Sequence, residues 1–498
     1  MCNVTNESII VNDKKIEWLI VERGFQIPSF NFITETEKVP GRPGSLLKKR
    51  ELNGYEFELP LIARNDYLVG RKNHDEIVNE LVKFFDYDAP VKLQLSEKNW
   101  YWKAYFDGPI EIVSINHGFV SFKVKVILTD PYKYAVQGSQ NTAIQDQVSV
   151  VNIGTANIKP TYTLTALKDS PYLHLGTDDR QYLAFGEPFI AGANIKDKRP
   201  RILLDNLNSL SGWSHMPTSG NIADNYSGGL IEGLMTTNPS KVSFIADNYG
   251  TTDKGWHGPA VRKSLSKSLD NWKVICAMKI YQKDNKGIGK GFFHFADESG
   301  KLVASLGLVD DTTAIGGTKA VIQIYDEYGN RKELVNYLGD KGTSYNDMEV
   351  YLLLQRHNNK FIVRTWSYYK DKNGKLQQRS RLNIDRTFND KGKQYARPIR
   401  QVICYVARHS NYPVLPVYLN RVEVIEILDE VGYDYFIKKG DVVDIDTEAE
   451  VAYVNNVPIK NYKDIASTYF SIDKAHQEVI IHPENTFDTV VKWQDRWL

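Results

Sequence analysis

The stretch 119-FVSFKVKVILTDPY-132 decides the fold class of the first part of the chain. Every second residue from Phe122 to Val126 is apolar, and the residues between them are lysines. This period of two places apolar and charged side chains on opposite faces, which is typical of a half-buried β-strand. The stretches 55-YEFELPLI-62 and 91-VKLQLSE-97 show the same pattern, so the first 135 or so residues are predicted to be rich in β-structure.

One segment of this region has a different period. In 73-NHDEIVNELVKFFDYD-88, isoleucine, leucine and phenylalanine recur at helical spacing. Asn73 with Glu76 three residues later resembles a capping box, and Pro90 follows the segment. We therefore predict one helix packed on the strands.

The rest of the chain divides by composition. Polar residues 136–148 indicate a linker, and strand-like pieces then run to about residue 203. A long stretch rich in Gly, Asn, Asp, Ser, Tyr and Trp follows, with short strands separated by hairpin-like turns. Dense strand alternation returns near the end, and neither flank alone reaches the roughly 100 residues of a β-sandwich. We predict a mainly β protein with the following divisions: a β-rich N-terminal domain with one helix (1–140), the first part of a β-sandwich (145–203), an inserted jelly-roll or lectin-like β-sandwich (204–428), and the second part of the interrupted sandwich (429–498).

Composition excludes several functional classes. The 498 residues include 62 Lys and Arg against 61 Asp and Glu, so no overall basic field favours nucleic-acid binding. The three cysteines lack C-x-x-C spacing, which argues against a disulfide framework or a zinc site. In 272-WKVICAMKI-280 the alternation predicts that Cys276 is a buried thiol on a core strand. The N-terminus lacks the features of a signal peptide, and no run of about 18 apolar residues predicts membrane insertion.

The stretch 38-KVPGRPGSLLKKRELNG-54 interrupts the regular segments. Prolines limit its unfolded entropy, and glycines allow tight turns. A solvated hairpin tip is one interpretation of this stretch.

Four stretches together resemble the distal tail protein (Dit) family of long-tailed bacteriophages. They are 39-VPGRPGSLLKK-49, the helix 73–86 with the strands that follow it to residue 112, 152-NIGTANIKPTYTLT-165 and 440-GDVVDIDTEAEVAYVNN-456. The resemblance implies a structural baseplate hub in the virion, made in the host cytoplasm. The N-terminal domain would form a hexameric ring that continues the tail tube, and the second domain would be a galectin-like sandwich. The stretch 38–54 would then be an arm at a ring interface or facing the neighbouring tail-tube ring. Its candidate interface residues are Pro40, Gly41, Arg42, Pro43, Gly44, Lys48, Lys49 and Arg50. The implied partners are the tail tube protein, a tail-associated lysin or baseplate hub protein, and a host cell-wall polysaccharide.

The insert departs from simple members of this family. Phage hub proteins with such insertions resemble carriers of carbohydrate-binding modules, and 213-WSHMPTSG-220 and 256-WHGPAV-261 are similar to lectin-like sandwiches on phage tails. Aromatic rings can stack on the apolar face of a sugar while planar polar groups bind its hydroxyls. Any one of these aromatic residues is individually more typical of a core. The candidate glycan-binding residues are Trp213, Tyr249, Trp256, His257, Arg364, Trp366 and Tyr368.

Signs of catalysis are weak. The sequence has no H-E-x-x-H, G-x-S-x-G or P-loop motif, and 287-GIGKG-291 is interpreted as a hairpin turn. Asp310, Asp311 and the stretch 371-DKNG-374 offer oxygen ligands for calcium, although turns explain them equally simply. Glu298 and Asp326 are acidic candidates for a glycan-cleaving site, which would need paired carboxylates in a cleft. We predict no enzyme and no cofactor.

The favoured function is therefore a tail hub whose insert binds host glycans during adsorption. A glycan-cleaving tail enzyme and a free secreted lectin are the alternatives, and the absence of a signal peptide disfavours the second. The abundance of Lys, Asn, Ile and Tyr indicates an AT-rich genome and hence a low-GC Gram-positive host.

Overall fold

The computed structural model describes residues 7–64, 74–109, 112–116, 119–177, 180–190, 195–281, 286–313, 317–339, 344–370, 376–379, 382–429, 432–473 and 475–498. Asn73 of the predicted capping pair, Cys2 and the stretch 371–374 lie outside these residues. The described chain is mainly β-structure, which confirms the predicted fold class. Within it, no helix is long and apolar enough to cross a membrane.

The strands are numbered along the chain. The first group is β1 (Ser8–Val11), β2 (Lys14–Val21), β3 (Phe32–Glu37), β4 (Leu46–Leu52), β5 (Tyr55–Arg64), β6 (Val91–Leu95), β7 (Trp100–Asp107), β8 (Ile112–Asn116), β9 (Phe119–Leu128) and β10 (Lys133–Ala135), with helix α1 (His74–Phe85) between β5 and β6. The second group is β11 (Ser139–Thr142), β12 (Gln147–Val151), β13 (Thr161–Ala166), β14 (Tyr172–Thr177) and β15 (Tyr182–Gly186).

The next group is β16 (Arg201–Asp205), β17 (Ser214–His215), β18 (Asn221–Ile222), β19 (Gly229–Ile231), β20 (Leu234–Thr237), β21 (Phe244–Asn248), β22 (Trp256–Gly258), β23 (Ala260–Leu269), β24 (Trp272–Ile280), β25 (Gly289–Ala296), β26 (Leu302–Asp310), β27 (Lys319–Tyr325), β28 (Arg331–Tyr337), β29 (Glu349–His357), β30 (Lys360–Lys370), β31 (Leu376–Gln378), β32 (Ile384–Asn389), β33 (Ile399–His409) and β34 (Val417–Glu426). The last group is β35 (Val442–Asp446), β36 (Val451–Val454), β37 (Val457–Pro458), β38 (His476–His482), β39 (Phe487–Trp493) and β40 (Arg496–Trp497).

The N-terminal strands form a closed barrel. Strand β7 pairs with β6 through its first half and with β9 through its second half. The strands in the order β7-β6-β1-β2-β5-β9 therefore close on themselves, which removes the free edges of that sheet. Alternate residues of β9 from Phe122 to Leu128 are buried in the barrel core, as the period of two predicted.

Helix α1 is held by one apolar face. Ile77, Leu81, Phe84 and Phe85 are buried, and they lie at the helical spacing seen in the sequence. The Phe85 ring meets that of Phe106 edge to face at a centroid distance of 4.8 Å. Burying each such side chain stabilises the domain by about 1.5–3 kcal/mol relative to leaving it exposed.

The chain divides into two compact units. One comprises the chain up to Phe189 and from Phe436 onward, and the other, the inserted unit, is Ile190–Tyr435. The inserted unit is longer at both ends than the predicted segment 204–428.

The second domain of the first unit is a β-sandwich built from both sides of the insertion. Its sheets run β11-β39-β13-β35-β36-β37 and β12-β38-β14-β15. Strand β13 precedes the inserted unit, yet both of its neighbours, β39 and β35, follow it. The core between the sheets therefore contains residues from both parts, such as Leu164 and Ile445.

The last strand leaves this sandwich and joins the N-terminal domain. Strand β40 pairs with β10, with Trp497 opposite Lys133 and Arg496 opposite Tyr134. The Lys133 ammonium also donates to the Leu498 carbonyl at 3.0 Å. The end of the chain thus extends the sheet that contains the barrel strands.

The inserted unit has its own core between two large sheets. One runs β20-β21-β34-β24-β29-β30-β31, and the other runs β18-β19-β22-β33-β25-β26-β27-β28. The inward residues of β24, including Trp272 and Cys276, are fully buried, which confirms the predicted core strand. Burial raises the pKa of the Cys276 and Cys404 thiols well above their ordinary value, so both are unreactive core groups.

The two ends of the inserted unit pair with each other in what we call the stem, residues 196–201 with residues 425–429 and 432–433. The Lys198 amide donates to the Tyr433 carbonyl at 3.0 Å, and the Leu428 amide donates to the Lys198 carbonyl at the same distance. Arg201 then lies opposite Ile425 at the start of β16. The chain therefore enters and leaves the inserted unit at one place.

Candidate functional site

The first candidate site is an exposed hairpin, which we call the arm, residues 32–52. Strands β3 and β4 pair only with each other, and every residue from Ile33 to Glu51 is exposed. Gly41 and Gly44 at its tip have φ of 80° and 84°, in the left-handed region that glycine favours. These two positions explain the glycines seen in the sequence.

The arm carries apolar side chains without cover from the described chain. Leu47 is 64% exposed, and Ile33, Val39 and Leu46 are also exposed. Within the described residues, neither edge of the two-stranded sheet has a neighbouring strand, so backbone groups are available along it. An isolated two-stranded hairpin is marginally stable in water. Its length and apolar surface favour a partner in the assembled state.

Three of the candidate basic residues, Lys48, Lys49 and Arg50, lie on the second strand of the arm, and Arg42 lies in its tip. Lys49 forms an ion pair with Glu51 at 2.7 Å, and the Arg50 guanidinium lies 4.1 Å from the centre of the Phe32 ring. Both contacts are local to the arm. Lys48 and Arg42 are exposed, and Pro40 and Pro43 flank Gly41 in the tip.

Two candidate glycan-binding aromatics belong to the core of the inserted unit. Trp213 is only 8% exposed, packs edge to face against Phe244 at 5.5 Å, and donates its indole N–H to Asp205 at 2.9 Å. Tyr249 is half-buried against the same core. Their positions favour a structural role, because neither presents a full ring face to solvent.

A second group lies on the outer face of β29 and β30. Trp366 stacks on Tyr351 at 5.2 Å, and Tyr368 meets Tyr351 edge to face at 5.9 Å. Trp366 and Tyr368 are buried, and Arg364 pairs with Asp385 at 2.9 Å. Trp366 and Tyr368 share a face as predicted, but that face is covered.

The two remaining candidates, Trp256 and His257, differ in how far they are buried. His257 is buried, and its Nδ1 lies 3.1 Å from the Gly255 carbonyl oxygen. Trp256 is partly buried, and its ring meets His409 at 4.9 Å. His409 lies 6.1 Å from the exposed ring of Tyr412. We call Trp256, His409 and Tyr412 the aromatic ledge.

The sequence analysis missed the residue beneath this ledge. Lys290 is fully buried, and its ammonium lies 4.2 Å from the centre of the Trp256 ring. The stretch 287-GIGKG-291 is not a hairpin turn, because β25 already begins at Gly289. Lys290 and His294 are polar residues four positions apart in a strand that is otherwise mostly apolar, so they share one face. This pattern could have revealed Lys290.

The acidic candidates for glycan cleavage stabilise turns. Asp326 is buried and accepts hydrogen bonds from the backbone of Tyr328 and Asn330. Burial acts to raise the pKa of Asp326, but hydrogen bonds from Asn330 and Gln394 outweigh it and hold the pKa low. A general acid would need the opposite shift. Glu298 is an exposed residue of the neighbouring turn.

The calcium candidates form contacts within the protein. Asp310 accepts from the Thr318 hydroxyl at 3.2 Å, and Asp311 pairs with Lys319 at 2.9 Å. Burial raises the pKa of Asp310 to about 6. The described residues hold no group of three or more His, Cys, Asp or Glu side chains suited to a metal ion.

The raised pKa of Asp310 predicts a pH-dependent stability. The folded protein keeps this proton up to about pH 6, whereas the unfolded chain releases it near the ordinary value of 3.8. The stabilising effect is therefore present below about pH 4 and is lost as the pH rises to 6. We expect Asp310→Asn to gain about 1–2 kcal/mol relative to the natural protein between these pH values. Urea unfolding at pH 4 and at pH 6 measures the free energy of unfolding, and Asp253→Asn, at an exposed residue, is the control. The same pH dependence in the two variants would contradict the prediction.

Comparisons with known proteins place these sites in context. A family model described as "Phage tail protein RIFT-related domain" matches residues 14–128, and one described as "Siphovirus-type tail component, C-terminal domain" matches residues 420–497. No curated protein matches the chain.

Solved structures are similar over parts of the chain. The CBM2 module of the evolved Dit of Lactobacillus casei BL23 phage J-1 is 17% identical, with a TM-score of 0.36, and the match covers 47% of this chain and 99% of that one. The SPP1 Dit protein is 15% identical, with a TM-score of 0.31, over 37% of this chain and 75% of that one. A Bacillus licheniformis beta-glucanase is 13% identical, with a TM-score of 0.28, over 45% and 96%.

The two matched families are both components of phage tails, and their order along the chain is that of the predicted domains. The first match covers most of the barrel domain, and the second ends in the sandwich strands that follow the inserted unit. The chain therefore carries both of these phage-tail domains, and the inserted β-sandwich unit interrupts the second of them.

Proposed function

We propose that this protein is a hexameric baseplate hub whose arm contacts a neighbouring copy in the ring. The exposed apolar residues of the arm support the contact, because assembly would remove them from water. The basic residues next to them could also meet the tail tube protein above the ring. In this arrangement the second domain faces the tail-associated lysin or the next hub protein.

We also propose that the inserted unit binds a host cell-wall polysaccharide during adsorption. The aromatic ledge supports this proposal, because Trp256 and Tyr412 present ring surface to solvent beside the imidazole of His409. Stacking of a sugar on such rings needs no catalytic group. The role is therefore structural and adhesive.

The observation that carries the proposal is the order of the three parts. The chain carries two phage-tail domains, and the second is interrupted by a unit that has its own core and is joined through the stem. A unit attached in this way can add an adhesive function without altering the strands that build the hub.

Light scattering of the full chain, followed by negative-stain imaging of the same peak, tests the hub. We expect the mass of a hexamer and a ring with a central hole and peripheral lobes. Cosedimentation with cell walls from a panel of low-GC Gram-positive bacteria tests adhesion. A stable monomer would contradict self-assembly, and failure to sediment with any wall would contradict the adhesive role.

A further inference from the structure

The outer face of the second sheet of the inserted unit carries a buried row of polar side chains. His294 lies opposite Ser305, and Ser305 lies opposite Gln323, on three neighbouring strands. Lys290 and Tyr325 extend this row, and all five residues are buried. The alternate residues of the same strands point into the apolar core. A sheet face with no role beyond packing would carry apolar residues here as well.

One loop covers this row. The cover loop, residues 223–228, connects β18 to β19 and reaches across the sheet. The Lys290 ammonium donates to the Tyr226 and Gly228 carbonyls, each at 2.6 Å. The hydroxyls of Ser227 and Tyr325 are 2.9 Å apart. The centre of the cover loop is thus held to the polar row mainly by hydrogen bonds.

The row is not fully satisfied by this cover. The Nδ1 atom of His294 lies 2.7 Å from the Ser305 hydroxyl, but Nε2 has no hydrogen-bond partner within the described chain. Leaving such a buried group unpaired costs about 1–3 kcal/mol, so it calls for an explanation. Burial lowers the pKa of His294 to about 3, so its ring is neutral and can donate or accept one further hydrogen bond.

We propose that the polar row is a closed binding site for a neutral, hydroxyl-rich ligand, and that the cover loop occupies the place of that ligand. The carbonyls of Tyr226 and Gly228 and the hydroxyl of Ser227 supply the kind of oxygen atoms that a sugar would present. The ring centres of Trp256, Phe292 and Tyr405 lie 4.2, 6.0 and 5.9 Å from the Lys290 ammonium. These rings provide apolar surface for the C–H faces of a sugar. This inference rests on the proposed glycan-binding function and deepens it.

The cover loop also explains how the site could discriminate between ligands. A ligand must replace the hydrogen bonds of the loop, so the apparent affinity is reduced by the fraction of molecules in which the loop is open. A ligand that satisfies His294 Nε2 as well gains a bond that the loop does not provide. Only hydroxyl-rich ligands of suitable shape would therefore displace the loop.

Two substitutions test the cover loop and the polar row separately. Ser227→Ala removes the hydrogen bonds of the loop hydroxyl to Tyr325 and Asp224 but changes no side chain of the row, so we expect the apparent affinity to rise about five-fold. His294→Leu keeps the size of the side chain but removes the imidazole, so we expect affinity to fall at least about ten-fold. Ser299→Ala is the matched control, because that hydroxyl ties an exposed turn to Asp297 at 2.7 Å.

The measurement is calorimetric titration of the full chain with neutral gluco-, galacto- and manno-configured tetrasaccharides. Hydrogen exchange at residues 222–231 reports opening of the loop, which we expect to be faster in Ser227→Ala and unchanged in Ser299→Ala. Binding that is indifferent to both Ser227→Ala and His294→Leu would overturn the covered site while leaving adhesion through the ledge intact. If the full chain binds cell walls but none of the tetrasaccharides binds any variant, the covered site is likewise overturned. If the full chain also fails to bind cell walls, the proposed function itself fails.

Discussion

Replacing residues 200–426 with two glycines is expected to leave a folded, ring-forming protein that no longer sediments with cell walls. The stem brings the ends of the deleted segment together, so a short linker can join Arg199 to Ile427. The sandwich core that remains, including Leu164 and Ile445, contains none of the deleted residues. We therefore expect loss of essentially all wall binding with little change in the unfolding temperature of the remaining domains.

The deletion is checked by light scattering, thermal unfolding and wall cosedimentation on the same preparation. A useful control keeps the inserted unit and removes only the ledge rings, with Trp256→Ala and Tyr412→Ala. Aggregation of the deleted protein would show that the flanking strands need the inserted unit to fold. Retained wall binding would move adhesion to the first unit.

Placing two carboxylates on the arm, with Leu46→Asp and Leu47→Asp, is expected to convert the proposed hexamer into monomers. Each leucine would lose about 2 kcal/mol of apolar burial at every copy of the contact, and a buried unpaired carboxylate adds a further cost. Because the arm makes no sheet contacts with the barrel strands, the stability of the monomer should hardly change.

Val82→Asp is the matched control, since Val82 is an exposed apolar residue of helix α1 in the same domain. We expect this variant to remain hexameric. The mass measured by light scattering distinguishes a hexamer from a monomer directly. A ring of unchanged mass in the Leu46/Leu47 variant would assign the interface to another surface and return the arm to the role of a solvent-exposed hairpin.

Local periodicity was sufficient to predict most of the strands and their buried faces. Trp272 and Cys276 lie in the core because every second residue of β24 from Trp272 to Ile280 is apolar and these residues share one face. Helix α1 likewise follows from its 3.6-residue period. Both patterns depend only on neighbours along the chain, and therefore one sequence is enough to read them.

Long-range pairing was not predicted. Barrel closure depends on β7 changing partner in mid-strand, and β40 pairs with a strand more than 350 residues earlier. Nothing in the local sequence sets such a register. The burial of Trp213 has the same origin, because Asp205 and Phe244 reach it from other strands. The polar row is covered by a loop that is distant in sequence, so its burial was not predicted. The two polar residues Lys290 and His294 within one strand were the local sign of the row.

The stem has a consequence at the level of genes. Because the chain leaves and returns at Lys198 and Leu428, a single stretch of coding DNA specifies the whole inserted unit, for which we propose the adhesive role. A recombination event that exchanged this stretch for one encoding another domain with adjacent ends would preserve the hub and its neighbours. The phage lineage could thus acquire a different host surface as its target in one step, without any compensating change in the rest of the tail.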